Sequence, residues 1–172
     1  MTDYDLLITT FFHQFSNQQI DLILTIVSNL IYIFLIYFMF YFFRKKQKGN
    51  LYLLIIAAIL GLGITTGLKY LINRPRPFPP SSFELFEKND PSFPSRHSFL
   101  AASAFFFLPK EFSKRIRFLY QFYFLIIIPL TLLMTGVHYI TDIIAGLAIG
   151  YLLPLVLNKI LGDKAFVKRS KQ

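Results

Sequence analysis

Long apolar runs separated by short charged segments limit what this chain can fold into more than any other feature of its sequence. A helix crosses the hydrocarbon core of a bilayer with about 20 apolar residues, and lipid requires its backbone groups to pair internally. The sequence therefore predicts an all-α integral membrane helical bundle, a single domain over 1–172 with about five transmembrane helices. The apolar runs cover 20–43, interrupted only by Asp21, and 51–68, 99–108, 118–137 and 140–157.

The run at 99–108 is the shortest of these. Its helix reaches across a membrane only if it begins near Ser95 and continues past Pro109, or if it lies tilted or shallow. Two further prolines fall within the later runs. Pro129 predicts a kink in the fourth run, and Pro154 lies near the end of the last one.

The N-terminal segment, 1–19, contains no lysine or arginine and therefore lacks the basic region of a signal peptide. Its apolar residues recur at helical spacing, at Leu6, Leu7, Phe11, Phe12 and Phe15. This pattern predicts an amphipathic helix in the membrane interface, with a frayed terminus as the alternative. His13 lies in this segment without a partner motif, so we interpret it as an interfacial residue rather than a catalytic one.

The net charge of +9 is concentrated in clusters between the apolar runs, which is typical of a membrane protein and not of a nucleic-acid-binding surface. Five spans place the loops on alternating sides, and most of the 18 basic residues then share one side. The positive-inside bias predicts that this side, with the basic tail 159–172, is cytoplasmic. The loop 73–95 and His138 would then face outward from a multi-pass protein of the cell membrane. The expected partners are membrane lipids, and the oligomeric state stays open.

Lys69, Arg74 and Arg76 stand close together where the second apolar run ends. Pro75 and Pro77 stiffen the chain around the two arginines. Cations at a membrane boundary usually have a partner or a function, and a phosphate oxyanion suits both the arginine fork and the lysine point charge. We predict that these three cations bind phosphate. Snorkelling toward lipid headgroups is the alternative.

The sequence Pro94-Ser95-Arg96-His97 stands just before the third apolar run. Ser95 has the features of a helix N-cap, and free backbone N–H groups at a helix start favour a bound phosphate. Arg96 and His97 would then lie beside that phosphate, where His97 could protonate a leaving oxygen. The alternative is a surface turn with an incidental histidine.

His138 and Asp142 are separated by helical spacing, which places both side chains on one face of a helix. The carboxylate of Asp142 could accept a hydrogen bond from one ring nitrogen of His138. That bond would fix the tautomer and leave the other nitrogen free to attack a substrate. The alternative is a structural His–Asp cap at the helix end.

The chain contains no cysteine, which excludes disulfides and thiolate metal ligands. Glu84, Glu87 and Asp90 lie in the outer loop, but their spacing matches no specific ligand pattern, so we interpret them as part of a solvated loop. His97 and His138 both have other candidate roles. The sequence therefore predicts a site without a metal or another cofactor.

Together these residues resemble the type-2 phosphatidic acid phosphatase superfamily. The matching positions form three blocks: Lys69, Arg76 and Pro77; Pro94, Ser95 and His97; and His138 and Asp142. Three positions depart from the family pattern. Arg96 stands in place of a glycine, Thr131 in place of a serine and Leu132 in place of the arginine that normally grips the phosphate. We hypothesise that Arg96 replaces that missing cation, with a weakened or inactive relative as the alternative.

The resemblance implies an all-helical membrane fold and metal-independent hydrolysis through a phosphohistidine. It implies His138 as nucleophile, Asp142 as the residue that orients it and His97 as general acid. By the same mapping Lys69, Arg76 and the Ser95 hydroxyl bind phosphate together with the backbone at Arg96.

The expected substrate is a lipid phosphate or pyrophosphate at the outer face of the membrane. Undecaprenyl pyrophosphate is the first expectation by family analogy, and phosphatidylglycerol phosphate or phosphatidic acid is the second. A lipid-phosphate binding or transport protein without hydrolysis is a rival function. The pairing of His138 with Asp142 argues against that rival, because binding needs no oriented neutral histidine.

Overall fold

Regular structure in the computed structural model is helical throughout the described residues, 3–79 and 90–165. The all-α fold predicted from the apolar runs is therefore confirmed. Parts of the predicted outer loop and basic tail, 80–89 with Glu84 and Glu87 and 166–172, lie outside the described residues. The helices are α1 (Asp3–His13), α2 (Gln18–Arg44), α3 (Lys48–Ile72), α4 (Arg96–Phe106), α5 (Lys114–Phe122), α6 (Ile128–Met134) and α7 (Ile140–Ala165).

Four helical segments of the described chain are long and apolar enough to cross a membrane. Large apolar side chains such as Ile33 and Ile59 are exposed on their outer surfaces, as expected for helices surrounded by lipid. The protein is therefore a membrane helical bundle, as its sequence predicts. The four segments are Gln18–Arg44, Lys48–Ile72, Lys114–Met134 and Ile140–Leu161.

The third apolar run forms the short helix α4, which has 11 residues and is not one of the four long segments. Such a helix is about 16 Å long. The chain nevertheless runs from one end of the bundle to the other between Ser95 and Glu111. Ser95 N donates to Asp142 O at 3.1 Å, whereas Glu111 Oε1 accepts from Gln47 Nε2 at 2.8 Å, just before α3 begins. The alternation of loops between the two ends is therefore retained.

Helix α4 is buried because it packs directly against the backbone of α7. A Cβ atom added at Gly146 would lie 2.4 Å from Ser95 O, and one added at Gly150 would lie 2.1 Å from Phe99 O. Small residues four apart let two membrane helices approach closely. Ser103 adds a hydrogen bond from its hydroxyl to Gly150 O at 3.1 Å. This contact fixes the start of α4 beside the start of α7.

A π-helical turn, Tyr123–Ile127, joins α5 to α6 just before Pro129. Proline has no N–H to donate to the carbonyl four residues earlier, so the regular ladder cannot continue through this position. The ladder shifts by one residue instead, and Ile128 N bonds to Tyr123 O. The structure thus places a π turn where the sequence predicts a kink.

Helix α1 covers Asp3–His13, which is shorter than the predicted interfacial segment, and packs against α6 and α7. The His13 ring bonds through Nδ1 to Met134 O at 2.9 Å and stacks on Phe78. Asp5 and Thr9 are buried on the inner face. Helix α1 therefore lies at the end of the bundle where α6 ends and α7 begins.

Candidate active site

A cavity of about 250 Å³ opens at the end of the bundle where α3 ends and α4 begins. Polar residues of α2 line it beside charged residues from the other elements. All three motif blocks of the sequence contribute residues to its wall. The predicted site residues that line it are Lys69, Arg76, Arg96, His97 and His138.

Three cations of this wall converge on one carboxylate, that of Asp90. Lys69 Nζ lies 3.0 Å from Asp90 Oδ2, and Arg96 donates to the same oxygen at 2.5 Å. Arg76 pairs with Asp90 Oδ1. Burial acts to raise the pKa of Asp90, but Lys69 and Arg76 outweigh it and hold this pKa below its usual range.

The interpretation of Asp90 as part of a solvated loop is therefore wrong. Its side chain is only 3% exposed and is surrounded by the three cations. A cluster of three positive charges and one negative charge keeps a net positive charge, which a phosphate group can neutralise. Spacing along the sequence does not predict this cluster, because Lys69 and Asp90 are far apart in the chain and meet only in the folded protein.

His97 stands in the first turn of α4, and its ring reaches α2. Its Nε2 lies 3.2 Å from Asn29 Oδ1. The amide of Asn29 is oriented by a second bond, because its Nδ2 donates to Thr25 O at 2.9 Å. An amide oxygen can only accept, so His97 Nε2 carries the proton of this bond and Nδ1 is left to exchange a proton.

The sequence analysis missed Asn29. A signal for it exists, since Thr25, Ser28 and Asn29 form a polar strip at helical spacing inside an otherwise apolar span. All three line the cavity. Polar side chains within a membrane helix usually face the bundle interior, and this strip follows that rule.

His138 lies between α6 and α7, two residues before α7 begins, and Asp142 stands behind it in the first turn of α7. The prediction that both residues share one face of a helix is therefore wrong, although the two side chains do lie together. His138 Nδ1 is 3.5 Å from Asp142 Oδ2, longer than a hydrogen bond, and it has no hydrogen-bond partner among the described residues. The same Asp142 oxygen accepts from Tyr139 N at 2.9 Å and so caps the start of α7. The carboxylate thus combines a capping role with the predicted position beside the histidine.

The charge state of His138 follows from its surroundings. Burial, aided by the positive charges of Arg76 and Lys69, lowers the pKa of His138 to about 4 against the opposing effect of Asp142. The ring is therefore neutral at neutral pH. A neutral ring is the form that can act as a nucleophile.

Ser95 is the N-cap of α4, as predicted, but its hydroxyl is not part of the cavity wall. The Ser95 oxygen accepts from Ser98 N at 3.3 Å and from the Ser98 hydroxyl at 3.1 Å, and the residue is fully buried. The structure thus uses this hydroxyl to begin the helix, whereas the sequence analysis expected it to bind phosphate.

Arg74 also lies elsewhere than expected. Although it is only two residues from Arg76, it does not line the cavity and instead pairs with Asp142 Oδ1 and Asp5 Oδ2, each at 2.6 Å. The two side chains point in different directions on either side of Pro75. Arg76 faces the cavity, whereas Arg74 lies behind His138 against Asp142. The structure therefore does not bring Arg74 to the predicted phosphate site.

Leu132 faces the cavity from α6. It holds the position at which the family pattern has a cation, and it is buried. Arg96 lines the same cavity. The preceding residue, Thr131, donates from its hydroxyl to Ile128 O at 2.7 Å within its own helix.

No group of three or more histidine, aspartate or glutamate side chains within 3–79 and 90–165 is arranged to hold a metal ion. The cavity instead combines two histidines with three cations, at one end of a membrane-embedded helical bundle.

The chain belongs to the PAP2 superfamily, whose family model matches residues 49–165, more than half of its length. This membership supports a lipid phosphatase enzyme. No curated protein sequence matches the chain.

Two crystal structures are similar to it in fold. LpxE of Aquifex aeolicus is 22% identical with a TM-score of 0.73, covering 92% of this chain and 96% of that one. A transmembrane PAP2-type phosphatidylglycerolphosphate phosphatase of Bacillus subtilis is 21% identical with a TM-score of 0.75, covering 96% of this chain and 88% of that one.

Proposed function

We propose that this protein hydrolyses a lipid phosphate or pyrophosphate without a metal ion, through a phosphohistidine at His138. The observation that carries the proposal is the shared cavity of His97 and His138, whose wall also presents Lys69, Arg76 and Arg96. A nucleophile, a proton donor and cations for the equatorial oxygens are the parts that phosphoryl transfer requires.

In the first step the free ring nitrogen of His138 attacks phosphorus in line, and the bond from phosphorus to the lipid oxygen breaks. Protonated His97 gives its Nδ1 proton to the departing oxygen. In the second step water attacks the phosphohistidine, and His97 accepts a proton from it. Inorganic phosphate leaves, and both histidines return to their initial states.

The cations would hold the charge that spreads over the phosphoryl oxygens in the transition state. Lys69 and Arg76 fit this role because they line the cavity beside His138. Arg96 supplies a third positive charge in a wall where Leu132 supplies none. Asp90 orients these cations through its ion pairs.

The substrate class follows from the location of the cavity at the end of a membrane bundle, where a lipid headgroup can enter from the bilayer. Undecaprenyl pyrophosphate remains the first candidate, and phosphatidylglycerol phosphate or phosphatidic acid the second. The structural likeness to a phosphatidylglycerolphosphate phosphatase supports testing the second candidate at equal priority. The positive-inside bias supports a site that faces the extracytoplasmic side.

The test is phosphate release in detergent from purified undecaprenyl pyrophosphate, phosphatidylglycerol phosphate and phosphatidic acid. We expect release from at least one of them to survive EDTA and to vanish in His138→Ala. His13→Gln is the matched control, since His13 is a histidine outside the cavity whose bond to Met134 O a glutamine can keep.

Rapid quenching with a ³²P-labelled substrate should trap a phosphoenzyme that is labile in acid and stable in base. The same label should be missing from His138→Ala. Full activity of that variant, or loss of activity in EDTA that a divalent cation restores, would overturn the mechanism. Tight lipid-phosphate binding with no release from any substrate would favour the transport function instead.

A further inference from the structure

Behind the cavity, an ion-pair chain connects the N-terminal helix to the carboxylate next to His138. Arg74 donates through one terminal nitrogen to Asp142 Oδ1 and through the other to Asp5 Oδ2, each at 2.6 Å. Asp5 in turn accepts from Thr141 N at 3.2 Å and from the Thr141 hydroxyl at 2.5 Å. These ion pairs and hydrogen bonds thus join α1, the segment after α3 and the start of α7.

We propose that Arg74 and Asp5 are positioning residues that set the orientation of Asp142 and, through it, the tautomer and aim of His138. The proposal rests on the proposed role of His138 as nucleophile. It assigns no contact with the substrate to either residue, because neither lines the cavity.

Arg74 holds one of the two oxygens of Asp142. Asp142 Oδ2 is 3.5 Å from His138 Nδ1 and is held by Tyr139 N, while Oδ1 is held by Arg74. A shift of about 0.5 Å would bring Oδ2 into hydrogen-bond range of the histidine. Tyr139 N and Arg74 hold the carboxylate within that reach. Of these two groups, only Arg74 is a side chain, so it is the one that a substitution can remove.

Arg74 also balances the charge of Asp142. Asp142 is fully buried, and a buried carboxylate without a partner is strongly unfavourable. Arg74 supplies the compensating charge at 2.6 Å. Without it, the carboxylate would turn toward another donor or take up a proton, and either change would withdraw its negative charge from His138 Nδ1.

The contacts of residue 74 require an arginine. Its two terminal nitrogens bind two different carboxylates, and its guanidinium carbon lies 3.8 Å from the centre of the Tyr139 ring. A lysine has one point charge and no planar surface, so it cannot make these contacts together. Asp5 fixes the far side of the same guanidinium, which gives α1 a role in the site.

The experiment compares Arg74→Ala with Arg76→Ala, two changes of the same residue type two positions apart. For Arg74→Ala we expect kcat to fall about 10- to 100-fold with KM unchanged. This is the range found when the hydrogen-bond partner that orients a metal-ligating residue is removed. Arg76→Ala should weaken stabilisation by inorganic phosphate in thermal unfolding, whereas Arg74→Ala should keep it. Arg74→Lys should restore part of the lost kcat.

Asp5→Asn should lower kcat in the same direction by a smaller factor. Its matched control is Asp21→Asn, because Asp21 is a carboxylate near the start of α2 that pairs with the Ser16 hydroxyl and not with this chain. We expect that control to retain wild-type kcat. A higher KM with unchanged kcat, or the same kcat in all these variants, would overturn the positioning role.

A readout independent of turnover separates this proposal from the proposed function. Spectra of ¹⁵N-histidine-labelled protein should show mainly the Nδ1–H tautomer of His138, and Arg74→Ala should reduce its population. An unchanged tautomer population in folded Arg74→Ala would refute the positioning role even in an active enzyme. Absence of phosphate release by the wild type would refute the proposed function and leave the tautomer comparison decisive for Arg74.

Discussion

Arg96 and Leu132 together change how the cavity of this protein can hold a phosphate. Leu132 presents an apolar side chain where the family pattern has a cation, and Arg96 replaces a glycine at the start of α4. Both residues line the cavity. The exchange therefore moves a positive charge from α6 to α4 and keeps it on the same cavity wall.

If Arg96 supplies the charge that Leu132 lacks, Arg96→Gly should lower kcat about 100-fold or more, the cost of losing one group that stabilises transition-state charge. Adding Leu132→Arg to that variant should recover much of the loss. Steady-state phosphate release measures both effects. Turnover that is unchanged in Arg96→Gly would show that Arg96 does not compensate.

The three sequence blocks named five side chains that line one cavity. Lys69, Arg96 and His97 lie on helices, whereas Arg76 and His138 lie in segments between helices. The blocks could not separate Arg74 from Arg76, since the direction of each side chain depends on the path around Pro75. They also missed Asp90, whose partners come from distant parts of the chain. Which side chains of a loop reach the cavity is therefore less readable from sequence than which segments of the chain surround it.

Among the elements, the contact between α4 and α7 determines whether the site can form. Gly146 and Gly150 allow the helix that carries His97 to lie against the helix that begins next to His138. Helix α4 is short, so this packing and its serine hydrogen bonds replace the stability that a longer span would supply. The apolar run at 99–108 predicts a helix there, but the close approach depends on what faces it.

We expect Gly150→Ala to destabilise the protein by about 1–3 kcal/mol, because the added Cβ would overlap the backbone oxygen of Phe99. Unfolding of the detergent-solubilised protein by heat or SDS measures this change. Gly67→Ala in α3 is the control, since a Cβ there meets nothing within 4 Å. Equal stability of the two variants would contradict the proposed close packing.

Over the whole molecule, charged residues are divided unevenly between the two ends of the bundle. The end opposite the cavity carries exposed cations such as Arg44 and Lys110, whereas the cations at the cavity end are largely engaged with carboxylates. Free cations are retained on the cytoplasmic side of membrane proteins. The distribution therefore supports an extracytoplasmic cavity.

The absence of native cysteines allows a clean test of this orientation. Gln14→Cys should react with a membrane-impermeant maleimide on intact cells, because Gln14 is exposed at the cavity end. Lys110→Cys, exposed at the other end, should react only after permeabilisation. The reverse labelling pattern would place the cavity in the cytoplasm.

The three cations that pair with Asp90 affect how another anion can bind in the site and leave it. A phosphate group that is to bind Lys69, Arg76 and Arg96 must compete with Asp90. The carboxylate of Asp90 already pairs with all three cations and must be shared or displaced. The measured affinity is then the difference between two anions competing for one set of counterions. If the protein hydrolyses a lipid phosphate as proposed, the same competition would act on the product, because the returning carboxylate would help to displace inorganic phosphate.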